Sequence, residues 1–207
     1  MSTLPALVAS ATPGVAAACV VGAYLLGTFP TARLASRRRG VDPTAAGSRN
    51  PGATNVYRTA GRRAGVLTLV GDVVKGSVAA GLGWAVGGHG LGVACGVAAV
   101  VGHVAPLTHP TRGGKGVATV AGMALVLFPL AALVSAAAFG VVTALTRTVS
   151  LGSIAAVLVL PLAAGALGAP GWEVAALVVC AAVVIARHRA NIWRLWRGEE
   201  PHLGTAA

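Results

Sequence analysis

The chain has 207 residues, 56% of them hydrophobic and only 10% charged, with a mean hydropathy of +0.79. Soluble domains carry about 25% charged residues to cover their surface, so this composition excludes an ordinary water-facing domain and points to lipid as the solvent. The net charge of +11 would suit a nucleic-acid binder, but the placement of the cations argues against one.

All sixteen Lys and Arg fall in four zones: eight within residues 33–63, then Lys75, Arg112 and Lys115, then Arg147, then four within residues 187–197. Long apolar stretches separate these zones, which is the layout of the positive-inside rule. No nucleic-acid partner is expected. Residues 1–14 carry no charged side chain and so lack the positive start of a cleaved secretory signal. Positive charge follows the first apolar run instead, at Arg33, Arg37, Arg38 and Arg39, which places the N-terminus outside.

In chain order, the apolar runs cover residues 15–35, 64–87, 90–107, 117–145, 151–167 and 172–186. A spanning helix needs about 20 residues, and five of the runs fit one helix each. The run 117–145 is too long for one span at a rise of about 1.5 Å per residue, and Pro129 lies near its middle. As one helix it would put the basic residues after 186 on the opposite side from those at 33–63. As a hairpin of two short helices it brings every basic zone to one face. The expectation is an all-α polytopic membrane protein: one integral-membrane domain over residues 1–207, with seven transmembrane helices, the N-terminus outside and the C-terminus in the cytoplasm. Cys19, Cys95 and Cys180 sit inside apolar runs with neither metal nor disulfide spacing, so no metal site is expected.

Three inside segments carry more than topology requires. Residues 47–58 pack Gly47, Ser48, Arg49, Asn50, Gly52, Thr54, Asn55 and Arg58 together. Glycines admit close backbone approach, successive N–H groups form anion-binding nests, and arginine adds a fork suited to phosphate. An ordinary capped turn would read the same way. The run Arg112-Gly113-Gly114-Lys115-Gly116 opens an apolar stretch, combining free amides, the positive end of a helix dipole and an ammonium. It is not a Walker A loop, since Gly116 stands where Ser or Thr belongs. His188 and Asn191 share a helical face in the third segment, among Trp and Arg residues of the kind that anchor a last helix. Asp72 and Lys75, at i and i+3 within an apolar run, form either an internal ion pair or a support for the site.

Taken together, these residues resemble a known family. Residues 48–58, then Gly102, His103, Pro106 and residues 113–119, then His188, Arg189, Asn191, Ile192, Arg194, Leu195 and Gly198 are similar, in order, to the three motifs of the bacterial acyl-phosphate:glycerol-3-phosphate acyltransferases, PlsY. Gly27, Pro30, Asp72, Lys75 and Gly76 also fit the pattern. The resemblance implies a seven-helix enzyme of the bacterial cell membrane with its motifs facing the cytoplasm. It implies transfer of a fatty acyl group from acyl phosphate to the 1-hydroxyl of sn-glycerol 3-phosphate, the first step of phospholipid biosynthesis, without a cofactor. The implied partners are those two substrates, membrane lipid and the enzyme that supplies acyl phosphate. No His-x-x-x-x-Asp occurs in the chain, so a His–Asp acyltransferase mechanism has no support.

The resemblance also implies residue roles. Lys115, His188, Asn191 and Ser48 form the catalytic set. Arg58, Lys115, the backbone of Gly113, Gly114 and Gly116, and the side chains of Asn50, Asn55 and Ser153 bind substrate phosphate. His188 is either a general base or a hydrogen-bond donor; a donor is expected, because the acyl group arrives activated and no acidic residue stands near His188 in sequence. The chain departs from the family pattern at Thr44, Arg49, Ala105 and Thr111, which alters the rim. A second reading is a divergent, non-catalytic membrane protein that retains an anion- or lipid-binding site. A small transporter should show inverted repeats, and none is evident.

Overall fold

The structure is a computed structural model that describes residues 11–108 and 111–204; the uncharged stretch used to orient the N-terminus lies mostly outside them. Among the described residues all regular structure is helical. In chain order the helices are α1 (Pro13–Gly27), α2 (Thr31–Ser36) with a 3-10 turn (Arg37–Arg39), α3 (Ala53–Ala60), α4 (Arg62–Val104), α5 (Val117–Leu127), α6 (Pro129–Thr146), α7 (Val149–Ala166), α8 (Gly171–Arg187) and α9 (Arg189–Trp196). Among the described residues, four stretches are long and apolar enough to cross a membrane: Pro13–Arg39, α4, α6 and α7. The pair α8 and α9, bent by 59°, makes a fifth if it counts as one span, and α5 is a shorter apolar helix.

Backbone chemistry sets the boundaries. The Thr12 side chain accepts a hydrogen bond from the Val15 amide, and Pro13 opens α1 where its missing N–H costs nothing. The run 15–35, expected as one helix, is interrupted at residues 28–30, because Pro30 cannot donate to the helical ladder. The runs 64–87 and 90–107 form one assigned helix, broken only where Gly87 and Gly88 leave helical geometry; Gly88 has φ 79°, ψ −179°, a conformation open essentially to glycine alone. The run 117–145 breaks next to Pro129 as expected, at Phe128 (φ −136°, ψ 57°), but unequally: α5 has 11 residues and α6 has 18.

Contacts define two ends of the molecule. At one end Lys115, just before α5, donates to Asn191 of α9, and the carbonyl of Arg147, just after α6, accepts from the Leu203 amide. Both ends of the α5–α6 segment therefore return to the C-terminal residues. At the other end His89, beside the α4 break, bonds Glu173 at the start of α8 (2.8 Å) and the Leu127 carbonyl (3.0 Å) and packs against Phe128 at the α5–α6 turn.

Between the ends, polarity is arranged for lipid. Large apolar side chains face outward, with Leu82 61%, Leu133 61% and Leu162 72% exposed, whereas Asp72, Lys75, His103 and Glu173 are buried. Helices α4 and α5 approach closely through small residues: a Cβ at Gly76 would meet the Thr119 carbonyl, and one at Gly122 the Val73 carbonyl. That contact fixes the start of α5, and with it Lys115, against the rest of the bundle.

Candidate active site

A cavity of about 360 Å³ opens at the end where the basic residues gather. Its polar wall comes from six places in the chain: Ser48 and Asn50 before α3, Arg58 within it, Lys115 and Gly116 before α5, Ser150 and Ser153 in α7, His188, Asn191 and Arg194 around the α8–α9 bend, and Glu200 beyond α9. Much of the remaining lining is apolar, with Leu69 and Val73 of α4, Val120 and Leu125 of α5, Phe139 of α6 and Leu160 of α7, interrupted by Asp72, His103 and Ser135. One continuous space therefore joins a cationic, hydroxyl-rich region to an aliphatic one.

A chain of hydrogen bonds fixes the cationic side. Lys115 Nζ donates to Asn191 Oδ1 (2.5 Å), Asn191 Nδ2 donates to Glu200 Oε1 (2.5 Å), and Arg194 Nε donates to Glu200 Oε2 (2.7 Å). Burial pushes the Lys115 ammonium down to about 8; Glu200 opposes that shift, while Arg194, Arg187 and Arg58 add to it. Burial works against ionisation of Glu200, yet the hydrogen bonds from Asn191 and Arg194 and the neighbouring Ser150 hydroxyl hold its carboxyl below the usual range. Ser150 Oγ lies close enough for that influence but makes no hydrogen bond of good geometry. Arg58 makes no hydrogen bond or ion pair among the described residues, so its fork is available to a ligand. A small anion between Arg58 and Lys115 would relieve the repulsion that lowers the Lys115 pKa.

His188 caps the end of α8 at the bend. Its Nδ1 lies 2.8 Å from the Val184 carbonyl, which can only accept, so Nδ1 carries the hydrogen. Burial, then the Lys115 charge, pushes the imidazole down to about 4. The ring is therefore neutral near pH 7 and presents Nε2 as an acceptor. In this tautomer the free ring nitrogen can accept, whereas the donation expected from sequence would need an imidazolium in a buried site beside an ammonium.

Two further expectations change. Asn55 borders the cavity, but its side chain is committed to the loop: Oδ1 accepts from the Ser48 amide (2.9 Å), and Nδ2 donates to the Pro43 (3.0 Å) and Ala46 (3.1 Å) carbonyls. It positions Ser48 and has no donor left for a phosphate. Gly113 and Gly114 do not line this cavity. The Gly114 amide donates to the His103 carbonyl, and both glycines sit where a Cβ would strike the end of α4, Gly113 against Val104 and Gly114 against the His103 ring. Their carbonyls accept from Arg187, at 2.6 Å for Gly113 and 3.3 Å for Gly114. They allow tight packing of the turn and do not cradle an anion here. Gly116, with φ 91°, does border the cavity and opens α5.

Ser153 Oγ donates to the Val149 carbonyl (2.9 Å) and can still accept from a ligand. The divergent residues Thr44, Arg49, Ala105 and Thr111 all lie outside the cavity. Sequence reasoning did not assign roles to Ser150, Arg194 or Glu200, or identify the apolar wall. Asp72 and His103 also line the cavity; Asp72 Oδ1 accepts from Thr31 Oγ1 (2.5 Å) and Lys75 Nζ (2.9 Å) and lies 3.5 Å from His103 Nδ1. The i, i+3 pair read from sequence is thus the centre of a four-residue buried cluster that ties the α1–α2 break to both arms of α4.

The same architecture and sequence recur in known proteins. Residues 17–198 match the family model described as glycerol-3-phosphate acyltransferase. A glycerol-3-phosphate acyltransferase from Thioalkalivibrio sulfidiphilus is 44% identical over 191 residues, covering 91% of this chain and 94% of that protein. One from Pseudomonas paraeruginosa is 48% identical over 191 residues, covering 87% and 95%. The crystal structure of PlsY (YgiH), an integral membrane glycerol 3-phosphate acyltransferase, in its glycerol 3-phosphate form superposes with a TM-score of 0.87 at 36% identity, covering 92% of this chain and 96% of that one. Its lysophosphatidic acid form gives a TM-score of 0.85. A motif set spread along nearly the whole sequence, a shared helical fold and these matches converge on one assignment: the chain belongs to the glycerol-3-phosphate acyltransferase family.

Proposed function

We propose that the chain transfers a fatty acyl group from acyl phosphate to the 1-hydroxyl of sn-glycerol 3-phosphate, releasing lysophosphatidic acid and phosphate. The observation that carries this reading is the single cavity with a cationic end and an aliphatic end, which suits a phosphorylated alcohol and an acyl chain at the same time. The relatives' names supply the acceptor. The donor follows from the chemistry: a mixed anhydride is already activated, so the site needs charge stabilisation and orientation more than a strong nucleophile.

Arg58 and Lys115 hold phosphate, with Asn50, Ser153 and Gly116 at the same wall. Ser48, set by Asn55, and Asn191, set by Glu200, orient the substrates. His188 Nε2 accepts the hydrogen bond of the attacking hydroxyl. The hydroxyl oxygen forms the ester bond as the carbonyl–phosphate bond breaks. The phosphate carries two negative charges in the acyl phosphate and keeps the electron pair of the broken carbonyl–oxygen bond; it is a stronger base than a nitrogen whose pKa is about 4, so it takes the hydroxyl proton and leaves as the hydrogen phosphate dianion. Purified protein given glycerol 3-phosphate should form lysophosphatidic acid with palmitoyl phosphate and none with palmitoyl-CoA. Product from the thioester alone would overturn the donor assignment.

The same reading takes the chain as one domain that crosses the bacterial cell membrane seven times, through α1, the two arms of α4, α5, α6, α7 and α8, with the N-terminus outside and the site facing the cytoplasm, where the acyl-phosphate-producing enzyme can meet it. The convergence of Lys115 and Arg147 on the C-terminal residues supports the α5–α6 hairpin that this count needs. Single cysteines at Ala45, Thr111 and Leu203 should be shielded from an impermeant external thiol reagent in intact cells, and one at Leu167 should react. Opposite behaviour of Thr111 and Leu203 would remove the hairpin.

A further inference from the structure

We propose a second anion-binding site beside the active-site cavity, one that takes orthophosphate or the phosphate of a phosphomonoester. A separate cavity of about 70 Å³ lies between the α1–α2 break, the end of α4 and the turn before α5. Arg33, Lys75 and Arg112 line it, together with His103 and Thr108, and no carboxylate does among the described residues. Asp72 neutralises Lys75 from behind the wall. The two arginines are less well compensated. Asp42 stands 3.9 Å from Arg33 and within electrostatic reach of Arg112, but it is about half exposed, so solvent screens it and one carboxylate cannot cancel two guanidinium charges; Arg112 makes no direct ion pair among the described residues. Two guanidinium forks at the mouth and an ammonium in the wall make a concave, positive space, which concentrates anions and matches the oxygens of a phosphate.

Its position gives this space a meaning. His103 lines both cavities. The turn before α5 also has a cavity on each side, with Gly113 and Gly114 facing the small one and Lys115 and Gly116 the large one. A phosphate held here would sit one turn of backbone from the ammonium that anchors substrate. It could be orthophosphate on its way out, glycerol 3-phosphate on its way in, or the headgroup of lysophosphatidic acid. The assignment of a phosphate-bearing ligand rests on the reaction proposed above, but binding can be measured without turnover.

The test is equilibrium binding of radiolabelled orthophosphate to the purified full chain in neutral detergent, alongside inhibition kinetics. Wild type is expected to bind at two classes of site. Arg58→Ala should weaken one class at least tenfold. Arg33→Gln/Arg112→Gln should weaken the other at least tenfold while leaving kcat and the KM for glycerol 3-phosphate within about twofold, and Arg33→Lys/Arg112→Lys should keep part of that binding, since the charge remains but the fork is lost. Phosphate inhibition against glycerol 3-phosphate should be mixed in wild type and purely competitive in the double glutamine variant. Displacement from the second class by glycerol 3-phosphate alone identifies a soluble source, and displacement by lysophosphatidic acid a lipid headgroup. A single class of site, weakened by Arg58→Ala and untouched by Arg33→Gln/Arg112→Gln, would overturn the proposal whether or not the protein turns over acyl phosphate.

Discussion

Replacing Lys115 by alanine is expected to lower kcat/KM for glycerol 3-phosphate roughly 10- to 100-fold, because a hydrogen bond to a charged group contributes about 1.5–3 kcal/mol. Arg58→Ala should cost a similar factor, and the double variant less than the product of the two, since both cations face one cavity and already interact. The pH profile adds a signature that a purely structural lysine would lack. With Lys115 lowered to about 8, the free protein loses this positive charge as pH rises through that value, so kcat/KM should fall on the alkaline side. Lys115→Arg keeps its charge well above pH 10 and should lose the alkaline limb, without recovering full activity because the fork does not reproduce the single contact to Asn191. Near-normal kcat/KM in both alanine variants, or an alkaline limb unchanged in Lys115→Arg, would contradict the assignment.

The second large effect concerns His188. His188→Ala is expected to lower kcat by about two orders of magnitude, the cost of misplacing a reacting group by about 1 Å, while His188→Gln keeps measurable turnover because an amide oxygen can accept the same hydrogen bond. The sign of the pH effect separates acceptor from titrating base. The ring is neutral down to about pH 4, so acidification from pH 8 to pH 5 does not change its charge. A limb near pH 6 belongs to the phosphomonoester, whose second pKa is about 6, and should persist in His188→Gln. An acid limb near 6.5 that disappears in His188→Gln would show instead that an unperturbed histidine must lose its proton before the reaction.

Much of the architecture was legible because lipid imposes it. Apolar length, the break at Pro129 and the boundary between residues 87 and 90 are local properties, and each marked a real feature of the backbone. The interruption at Pro30 was overlooked because the apolar run continues across it, and hydropathy does not register a missing amide hydrogen. The unequal α5 and α6 depend on where the torsion at Phe128 falls, which composition leaves open.

The site was legible as a set of residues and less so as a set of roles. Asn55 and Ser48 are both polar residues of one motif; only the fold spends the amide on the Pro43 and Ala46 carbonyls and leaves Ser48 at the cavity. The hydrogen-bond role of His188 depends on the Val184 carbonyl near the end of α8, which accepts both the His188 amide and its ring N–H. Glu200 reaches Asn191 because Gly198, at φ 69°, ends α9 in the left-handed conformation and the Glu199 amide bonds back to the Arg194 carbonyl. The pairing of His89 with Glu173 joins residues 84 positions apart, and no periodicity connects them.

The claim that both substrates meet in one cavity and react directly is tested by following the acyl group in time. Purified protein is mixed with palmitoyl phosphate labelled in the acyl chain, sampled, and then given glycerol 3-phosphate. The account predicts that the label stays on the donor until the acceptor is added, then appears in lysophosphatidic acid with an equal amount of phosphate released and none bound to protein. Label accumulating covalently on the protein before the acceptor is added, or no lysophosphatidic acid afterwards, would contradict it.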